Sequence, residues 1–518
     1  MKVLLLYPNI QSEQMPPTSI AIFSAILKQE GFEGALFDST DYDVETEFVD
    51  ADGARRKLVS AERTKMANLN VRPFPMLERE RKTTSAYDDF RRLAEAFNPD
   101  LIAVTATENM FPMTINLLQH VDDLDTPVVL GGVFATFAPE LALRWKEIDM
   151  LCVGEGEDVF RELCRRLSRG QDYADIPGLW VRDKQGAIVR NGIAPLTDKN
   201  ANPLPDFSIF PDGRFYRPMA GKIWRIFPIE THRGCPFTCS YCNSPAQSRL
   251  YKSAGQRFFG KKTLDKVREE IVWCRDVWKA EYFFFWADTF FSWTDKELAA
   301  FCEMYSEFKL PFWCQSRPET VTEQRIQLLK DAGVNRMGFG IEHGNEAFRR
   351  EIVKRDYRNE AVVKRMKILG ALGVEFSVNN MIGFPDETRE LAFDTIRLNR
   401  QVASDTMSCS IFVPFHGTGL REMAVERGYL HPDTICPTNS DDSVLHMPPP
   451  YMSGEDMKRL RRCFVMYCKF PEERWPEIRE AEEFTPQGDA KWHELRKEFE
   501  ATFFAPPETD IEKVNAVS

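Results

Sequence analysis

The chain has little that would tie it to nucleic acid, to a membrane or to an oxidising compartment. Acidic residues outnumber basic ones, 79 to 67 over 518 residues, giving a net charge of −12 and a pI near 5.4. That balance argues against a nucleic-acid backbone as the main partner. No apolar run suggests a transmembrane segment. The opening M-K-V-L-L-L-Y-P-N is short, lacks a small-residue cleavage site and reads as a buried first strand. The 12 cysteines are mostly scattered singly among apolar residues, which speaks against a disulfide framework and for a reducing, cytoplasmic setting. There is no internal repeat and no low-complexity tract. A G-x-G-x-x-G is missing after the first strand, where the chain reads Y-P-N-I-Q-S-E-Q, so a dinucleotide reading fails. This length, with 43% hydrophobic residues, leaves room for two or three domains, each with its own core.

Against that background three cysteines stand together. Cys235, Cys239 and Cys242 occupy T-H-R-G-C-P-F-T-C-S-Y-C-N with the spacing C-x3-C-x2-C. A [4Fe–4S] cluster ordinarily takes four thiolates. Three from one loop leave one iron open to a small molecule. A structural zinc site, with His232 as fourth ligand, would usually draw on two separated ligand pairs, and no second pair lies nearby. The motif resembles that of the radical S-adenosylmethionine (SAM) enzymes. The resemblance implies that the open iron chelates the amino and carboxylate groups of SAM, and that an electron from the cluster splits the sulfonium C–S bond to a 5′-deoxyadenosyl radical. Tyr241 is read either as a contact to cluster or adenine or as a core aromatic. Arg233 is read either as tuning the cluster potential or as pairing with an acid.

The fold class expected is α/β: an N-terminal Rossmann-like doubly wound domain, a partial (β/α)6 barrel of TIM type, and a helical C-terminal region. Strand–helix alternation over residues 1–170, with strands near Val3–Tyr7, Gly34–Phe37, Leu101–Thr105, Pro127–Leu130 and Met150–Val153, builds a parallel sheet. A polar stretch from about 43 to 95 interrupts it as an insertion. Residues 171–222 are turn-rich and read as a linker. From 223 to 420 six strands are expected at Ile223–Glu230, Tyr282–Trp286, Phe312–Ser316, Arg336–Ile341, Glu375–Met381 and Ser408–Val413, with helices between. Barrel chemistry sits at strand C-terminal ends, where all the motifs fall. Residues 421–518 are read as a helical cap over the barrel mouth with a poorly ordered tail, and Cys463 and Cys468 as packing residues.

Several strand ends are similar to the radical SAM pattern, and the resemblance implies their roles. W-A-D-T-F brings Asp288 to the methionine amine of SAM. Q-S-R-P brings Gln315 and Arg317 to its carboxylate or ribose. G-I-E-H-G brings Glu342 to a ribose hydroxyl or the amine. M-I-G-F-P brings Ile382 and Gly383 to the adenine. After the sixth strand, His416 replaces the proline of a Pro-Gly-Thr turn.

The N-terminal V-V-L-G-G-V-F-A-T-F and D-M-L-C-V-G-E-G-E look like the cobalamin-binding domain that precedes many radical SAM barrels. Gly131 and Gly132 would let the cofactor approach the backbone closely. Thr105, Thr107 and Glu108 end one strand, and Gly154, Glu155 and Gly156 make a second tight loop. The D-x-H-x-x-G pattern that supplies a cobalt ligand in some cobalamin proteins is absent, which implies that no protein histidine takes that place. A Rossmann-like domain that binds nothing is the plain alternative.

Together the two resemblances imply a cobalamin-dependent radical SAM methyltransferase. It would use a [4Fe–4S] cluster, SAM and cobalamin, act on a small molecule, and take electrons from a flavodoxin or ferredoxin. Its methyl group would pass through methylcobalamin to an unactivated carbon or a phosphinate centre. The same domains would serve a cyclase, a rearrangement or a C–C coupling enzyme. A non-catalytic cobalamin or redox sensor is the reading from another class.

Overall fold

The computed structural model describes residues 1–10, 15–42, 44, 47–49, 55–57, 82–436 and 442–503. Two seven-stranded sheets organise them. In the first, β1 (Lys2–Tyr7), β2 (Glu33–Asp38), β3 (Leu101–Thr105), β4 (Val128–Gly131) and β5 (Met150–Cys152) lie parallel in the order β2-β1-β3-β4-β5. Strands buried on both faces read as continuous apolar runs, as in Val3–Leu6 and Leu101–Val104. Helix α1 (Thr18–Gln29) and helix α2 (Glu157–Ser168) cover one face of this sheet.

Two further strands, β6 (Leu179–Arg182) and β7 (Ile188–Arg190), extend the sheet antiparallel from β5. They come from the stretch expected to be linker. Their alternation of buried Leu179 and Val181 with half-buried Trp180 and Arg182 is too short to show as periodicity among turns. Most of the insertion expected from 43 to 95 lies outside the described residues, apart from its final helix, Ala86–Phe97.

The second sheet curls as expected of a partial barrel. An antiparallel edge strand, β8 (Tyr216–Met219), precedes six parallel strands: β9 (Lys222–Glu230), β10 (Tyr282–Trp286), β11 (Phe312–Ser316), β12 (Val334–Glu342), β13 (Glu375–Ile382) and β14 (Thr406–Ile411), in sequence order. Helices α3 (Leu264–Asp276), α4 (Asp295–Tyr305), α5 (Glu323–Ala332), α6 (Asn359–Leu372) and α7 (Arg389–Gln401) alternate with them. Side chains fix most of their starts: Thr263, Thr322 and Thr388 accept from the amide three residues on, and Thr294 with Glu297 forms a full capping box.

Helix α8 (Gly454–Lys469) opens the C-terminal helical region, with two further helices, Trp475–Ala481 and Pro486–Phe503, after it. It packs on β14 and α7 at the free edge of the sheet, with Arg461 Nε donating to the Cys409 carbonyl at 3.2 Å. Cys463 and Cys468 are buried in that packing. Unpaired carbonyls on an edge strand give a helix groups to bind. The expected tail, from 504 on, lies outside the described residues.

Candidate active site

The cysteine loop is held from all sides at the C-terminal ends of the barrel strands. Thr231 N donates to the Trp286 carbonyl at 3.0 Å, and His232–Arg233 pairs antiparallel with Gly260–Lys261. Gly234 has φ 98°, and a Cβ there would lie 2.5 Å from the Phe258 carbonyl; only glycine fits. Its amide donates to Asp288 Oδ2 at 2.9 Å. Ser240 N reaches the Val353 carbonyl at 3.2 Å, and Leu420 N the Ser240 carbonyl at 2.9 Å. The loop therefore bridges strand ends β9, β10 and β12 and the segment after β14.

The donor set suits an anionic iron–sulfur cluster. Arg317 Nη1 lies 2.9 Å from Cys239 Sγ, its guanidinium 3.8 Å over the Phe237 ring. Ser244 N donates to Cys242 Sγ at 3.4 Å. Burial pushes the thiol pKa values up, to about 11 for Cys235 and about 12 for Cys242, so their ionisation needs a cationic partner such as iron. Among the described residues no three His, Cys, Asp or Glu side chains converge on one point as a single metal ion requires; a cube of irons spreads its ligands over separate corners.

Glu342 stands at the end of β12 with φ 67°, a left-handed conformation uncommon outside glycine and asparagine. Its Oε1 accepts from Tyr241 Oη at 3.0 Å and from Arg355 Nη1 at 3.0 Å, while Arg355 also reaches Tyr241 Oη at 3.1 Å. Burial raises the Glu342 pKa, with Arg355 opposing. Arg355 gave no signal in the sequence, yet it is 2% exposed and its Nε and Nη2 lack hydrogen-bond partners, as does Glu319 Oε2 beside it. Arg355 is ion-paired with Glu342 and, at 3.7 Å through Nη2, with Glu319, which leaves its Nε as the buried donor free for an acceptor on a ligand. The Tyr241 hydroxyl thus belongs to this polar cluster, while its ring packs against the apolar core.

The other barrel residues divide. Asp288 is exposed at the end of β10, and the protein crowded around it raises its pKa. Gln315 donates through Nε2 to the Ala287 carbonyl at 3.1 Å. Gly383 has φ 85°, and its loop is clamped by Glu387, which accepts from the amides of Gly383 and Phe384 and from His343 Nε2 at 3.0 Å. Ile382 is fully buried in the apolar core, so its backbone, not its side chain, is what the strand end can offer.

A cavity of about 320 Å³ opens in the first sheet between β3–β5 and helices α1 and α2, lined by Phe23, Thr105, Gly131, Gly132, Glu155 and Tyr251 among others. Gly132, at φ 108°, would put a Cβ 2.6 Å from the Ala106 carbonyl, and Gly154, at φ 98°, one 2.6 Å from Tyr251 Oη. Both are close protein contacts that only glycine allows, and the cradle that these loops border would take the slender tail of a cobalamin. Gly156 also lines it.

Two carboxylates expected at the cofactor serve the protein instead. Glu108 accepts from the amides of His416 at 2.8 Å and Cys436 at 2.9 Å and pairs with His416 Nδ1 at 2.9 Å. It is 3% exposed and ties the first sheet to the loop after β14. Glu155 lines the cavity, but its oxygens go to Arg233 Nη1 at 2.9 Å, Lys199 Nζ at 3.0 Å and Thr197 N at 2.9 Å. Thr107 is exposed, beside Asn109.

Arg233 is the hub. Besides Glu155 it holds Glu157 at 2.9 Å and Glu230 at 2.8 and 3.0 Å. Burial would raise Glu230, but Arg233, helped by Lys262 and Lys199, overrides it and brings its pKa down to about 2. Tyr251, on the helix after Cys242, accepts the Glu155 amide at 2.7 Å. The cavity wall and the cysteine loop are one construction.

Comparison with known proteins agrees with this geometry. Residues 229–398 match the radical SAM superfamily and residues 12–164 match the B12 binding domain. An uncharacterized methyltransferase of Pyrococcus horikoshii is 26% identical over 391 residues, 74% of this chain and 82% of that protein. The anaerobic magnesium-protoporphyrin IX monomethyl ester cyclase of Rubrivivax gelatinosus is 23% identical over 432 residues, 80% of this chain and 68% of its own. The structure of the radical SAM methyltransferase TsrM from Kitasatospora setae, with cobalamin and a [4Fe–4S] cluster bound, superposes with a TM-score of 0.64 at 16% identity, covering 97% of this chain and 98% of that one. The radical SAM match implies a [4Fe–4S] cluster and SAM, and the B12 match implies cobalamin. No helix among the described residues is long and apolar enough to cross a membrane.

Proposed function

We propose that this chain, a radical SAM enzyme with an N-terminal B12-binding domain, is a cobalamin-dependent methyltransferase acting on a small molecule. The observation that carries the reading is the shared wall. Arg233, two residues before Cys235, is bonded to Glu155 and Glu157 at the cavity of the first sheet, as an enzyme that uses both cofactors in one reaction requires. When bound, the cluster supplies the electron that splits SAM to a hydrogen-abstracting radical, and cobalamin supplies the methyl group that replaces the hydrogen.

The chain's own residues hold and exclude. Cys235, Cys239 and Cys242 would ligate three irons, and Arg317 would stabilise the charge on Cys239. Arg355, with Glu342 and Tyr241, would fix the carboxylate and amino ends of SAM beside the open iron, and Asp288 would meet its amine. Gln315 and the Gly383 loop would bound its ribose and adenine. Gly131, Gly132 and Gly154 would seat the cobalamin tail, with Thr105 and Thr107 at the mouth of the cradle. The electron donor we expect is a flavodoxin or ferredoxin, and the compartment the cytoplasm.

The match to a cyclase over most of the chain supports a second reading, in which the same parts carry a cyclisation. Anaerobic reconstitution with iron, sulfide and hydroxocobalamin separates the two. About one cobalamin and about four irons per chain, with label passing from methyl-labelled SAM into product, is expected of the methyltransferase. Four irons without methyl transfer would overturn it in favour of the cyclase.

A further inference from the structure

The concave face of the barrel sheet is divided chemically. Parallel neighbours in register point their side chains to the same face. Along that face Phe284 adjoins Trp313, Gly338 adjoins Ser377, and Gly340, Asn379 and Ser408 lie side by side. The alternate residues, such as Phe285, Phe312 and Phe339, are fully buried beneath the helices. On this face β10 and β11 carry Phe284, Trp286 and Trp313 together with Gln315, β12 carries Gly338 and Gly340 beyond the Arg336–Glu375 ion pair, and β13 and β14 carry the amide and hydroxyl groups of Asn379 and Ser408.

The aromatic flank is a stacked pair with a third ring, Trp286, tilted 55° to it and left open. Phe284 and Trp313 stack at 3.9 Å with their planes 20° apart, and Trp286 lies 4.9 Å from Phe284. A Cβ on Gly338 would come within 2.8 Å of the Trp313 ring, so the bare backbone is what lets that indole lie down. Trp286 is 40% exposed although its strand runs between two others. Large aromatics are rarely left uncovered inside a concave wall unless something stacks on them. Across the cavity Asn379 is exposed, and Ser408 Oγ donates to its Oδ1 at 2.8 Å.

We infer that this face takes the planar aromatic or heteroaromatic part of the substrate, stacked on Trp286, with its hydrogen-bonding edge toward Asn379 and Ser408. The inference rests on the reading above that the barrel holds a small-molecule substrate, and it names the class.

The test uses the full chain with its cluster reconstituted, by calorimetric titration with two probes. Naphthalene-2-carboxamide and decahydronaphthalene-2-carboxamide share a polar edge and similar bulk, and only the first has a π face. The aromatic probe should bind roughly three- to tenfold more tightly, and equally well when SAM is saturating. Trp286→Leu should abolish the preference. Asn379→Ala should weaken both probes alike, with iron content and SAM affinity kept in each variant. Equal affinities, no binding of either probe, or displacement by SAM would overturn the inference, the last by giving the wall to SAM's own adenine. No step of this test requires cobalamin or methyl transfer. A chain that keeps the aromatic preference but loads no cobalamin would sink the methyltransferase reading alone, and one that transfers methyl without the preference would sink this inference alone.

Discussion

Replacing Arg233 with methionine isolates the link between the two halves. In the native chain one guanidinium meets Glu155, Glu157 and Glu230, whose side chains are 4%, 7% and 19% exposed. Lys199 remains on Glu155 in the variant, but Glu157 and Glu230 lose their direct cation. Stranding buried charge costs about 3–5 kcal/mol; Arg233 is 25% exposed, so about 3 kcal/mol is expected. With roughly 1 kcal/mol/K of unfolding entropy for a cooperative unit of this length, the melt should fall by about 3 °C. The pH dependence gives the sharper check. In the native chain Glu230 is held down to about 2 against an ordinary 4.5, so its contribution is full above 4.5 and is lost as the pH falls toward 2. In the variant only Lys262 and Lys199 are left to oppose burial, and the Glu230 pKa is expected to rise above 4.5. Its contribution is then present below 4.5 and lost as the pH rises through the new value. The gap between the two proteins should therefore be widest near pH 7 and close on acidification toward pH 4. Thermal melts across that range measure it, and Arg233→Lys should recover only part of the gap, since a point charge cannot serve three carboxylates at once. A gap that stays constant with pH, or a loss under about 1 kcal/mol at pH 7, would refute the reasoning.

Three other outcomes follow from the same geometry. Alanine at Cys235, Cys239 or Cys242 should remove most of the iron after reconstitution and abolish SAM cleavage, read by iron assay and by 5′-deoxyadenosine release. Gly132→Ala should cost on the order of 1–3 kcal/mol through its positive φ and the Ala106 carbonyl and lower cobalamin loading, while iron per chain is unchanged. Arg317→Met should remove the donor from Cys239 Sγ and move the cluster potential negative, by about 60 mV for each 1.4 kcal/mol of differential stabilisation, measured by EPR-monitored titration.

The strands and helices of the barrel were legible because local signals coincide there. The run Tyr282–Trp286 leads into Asp288 and Phe312–Ser316 ends at a serine, and Thr263, Thr294, Thr322 and Thr388 announce the helices that follow. The cysteine loop was legible because its chemistry is contained in eight consecutive residues. Arg355 was not, because V-K-R-D-Y is an ordinary charged turn until the chain returns it to Glu342. The protein partners of Glu108 and Glu155 were not legible for a related reason. A carboxylate in a loop after a parallel strand reads as a ligand contact, and the groups that occupy these two lie 308 and 78 residues away.

Those long-range pairs also account for how the two sheets meet. Their apolar cores are not enough to set an orientation, since hydrophobic contact is non-directional. Charge pairs with fixed geometry are directional, and they occur where the alignment matters. Glu108 with His416 fastens the first sheet to the loop after the last barrel strand, and Glu155 and Glu157 with Arg233 fasten it to the strand that opens into the cysteine loop. These two fastenings lie at the first and last parallel strands of the barrel, so they clamp the cavity of the first sheet across the barrel's open ends. On the proposed reading the two cofactors have to be held across a short, fixed gap, because a misplacement of about 1 Å can cost 10²-fold in rate. Buried ion pairs of this kind add little net stability, and their expense is accounted for by the register they impose.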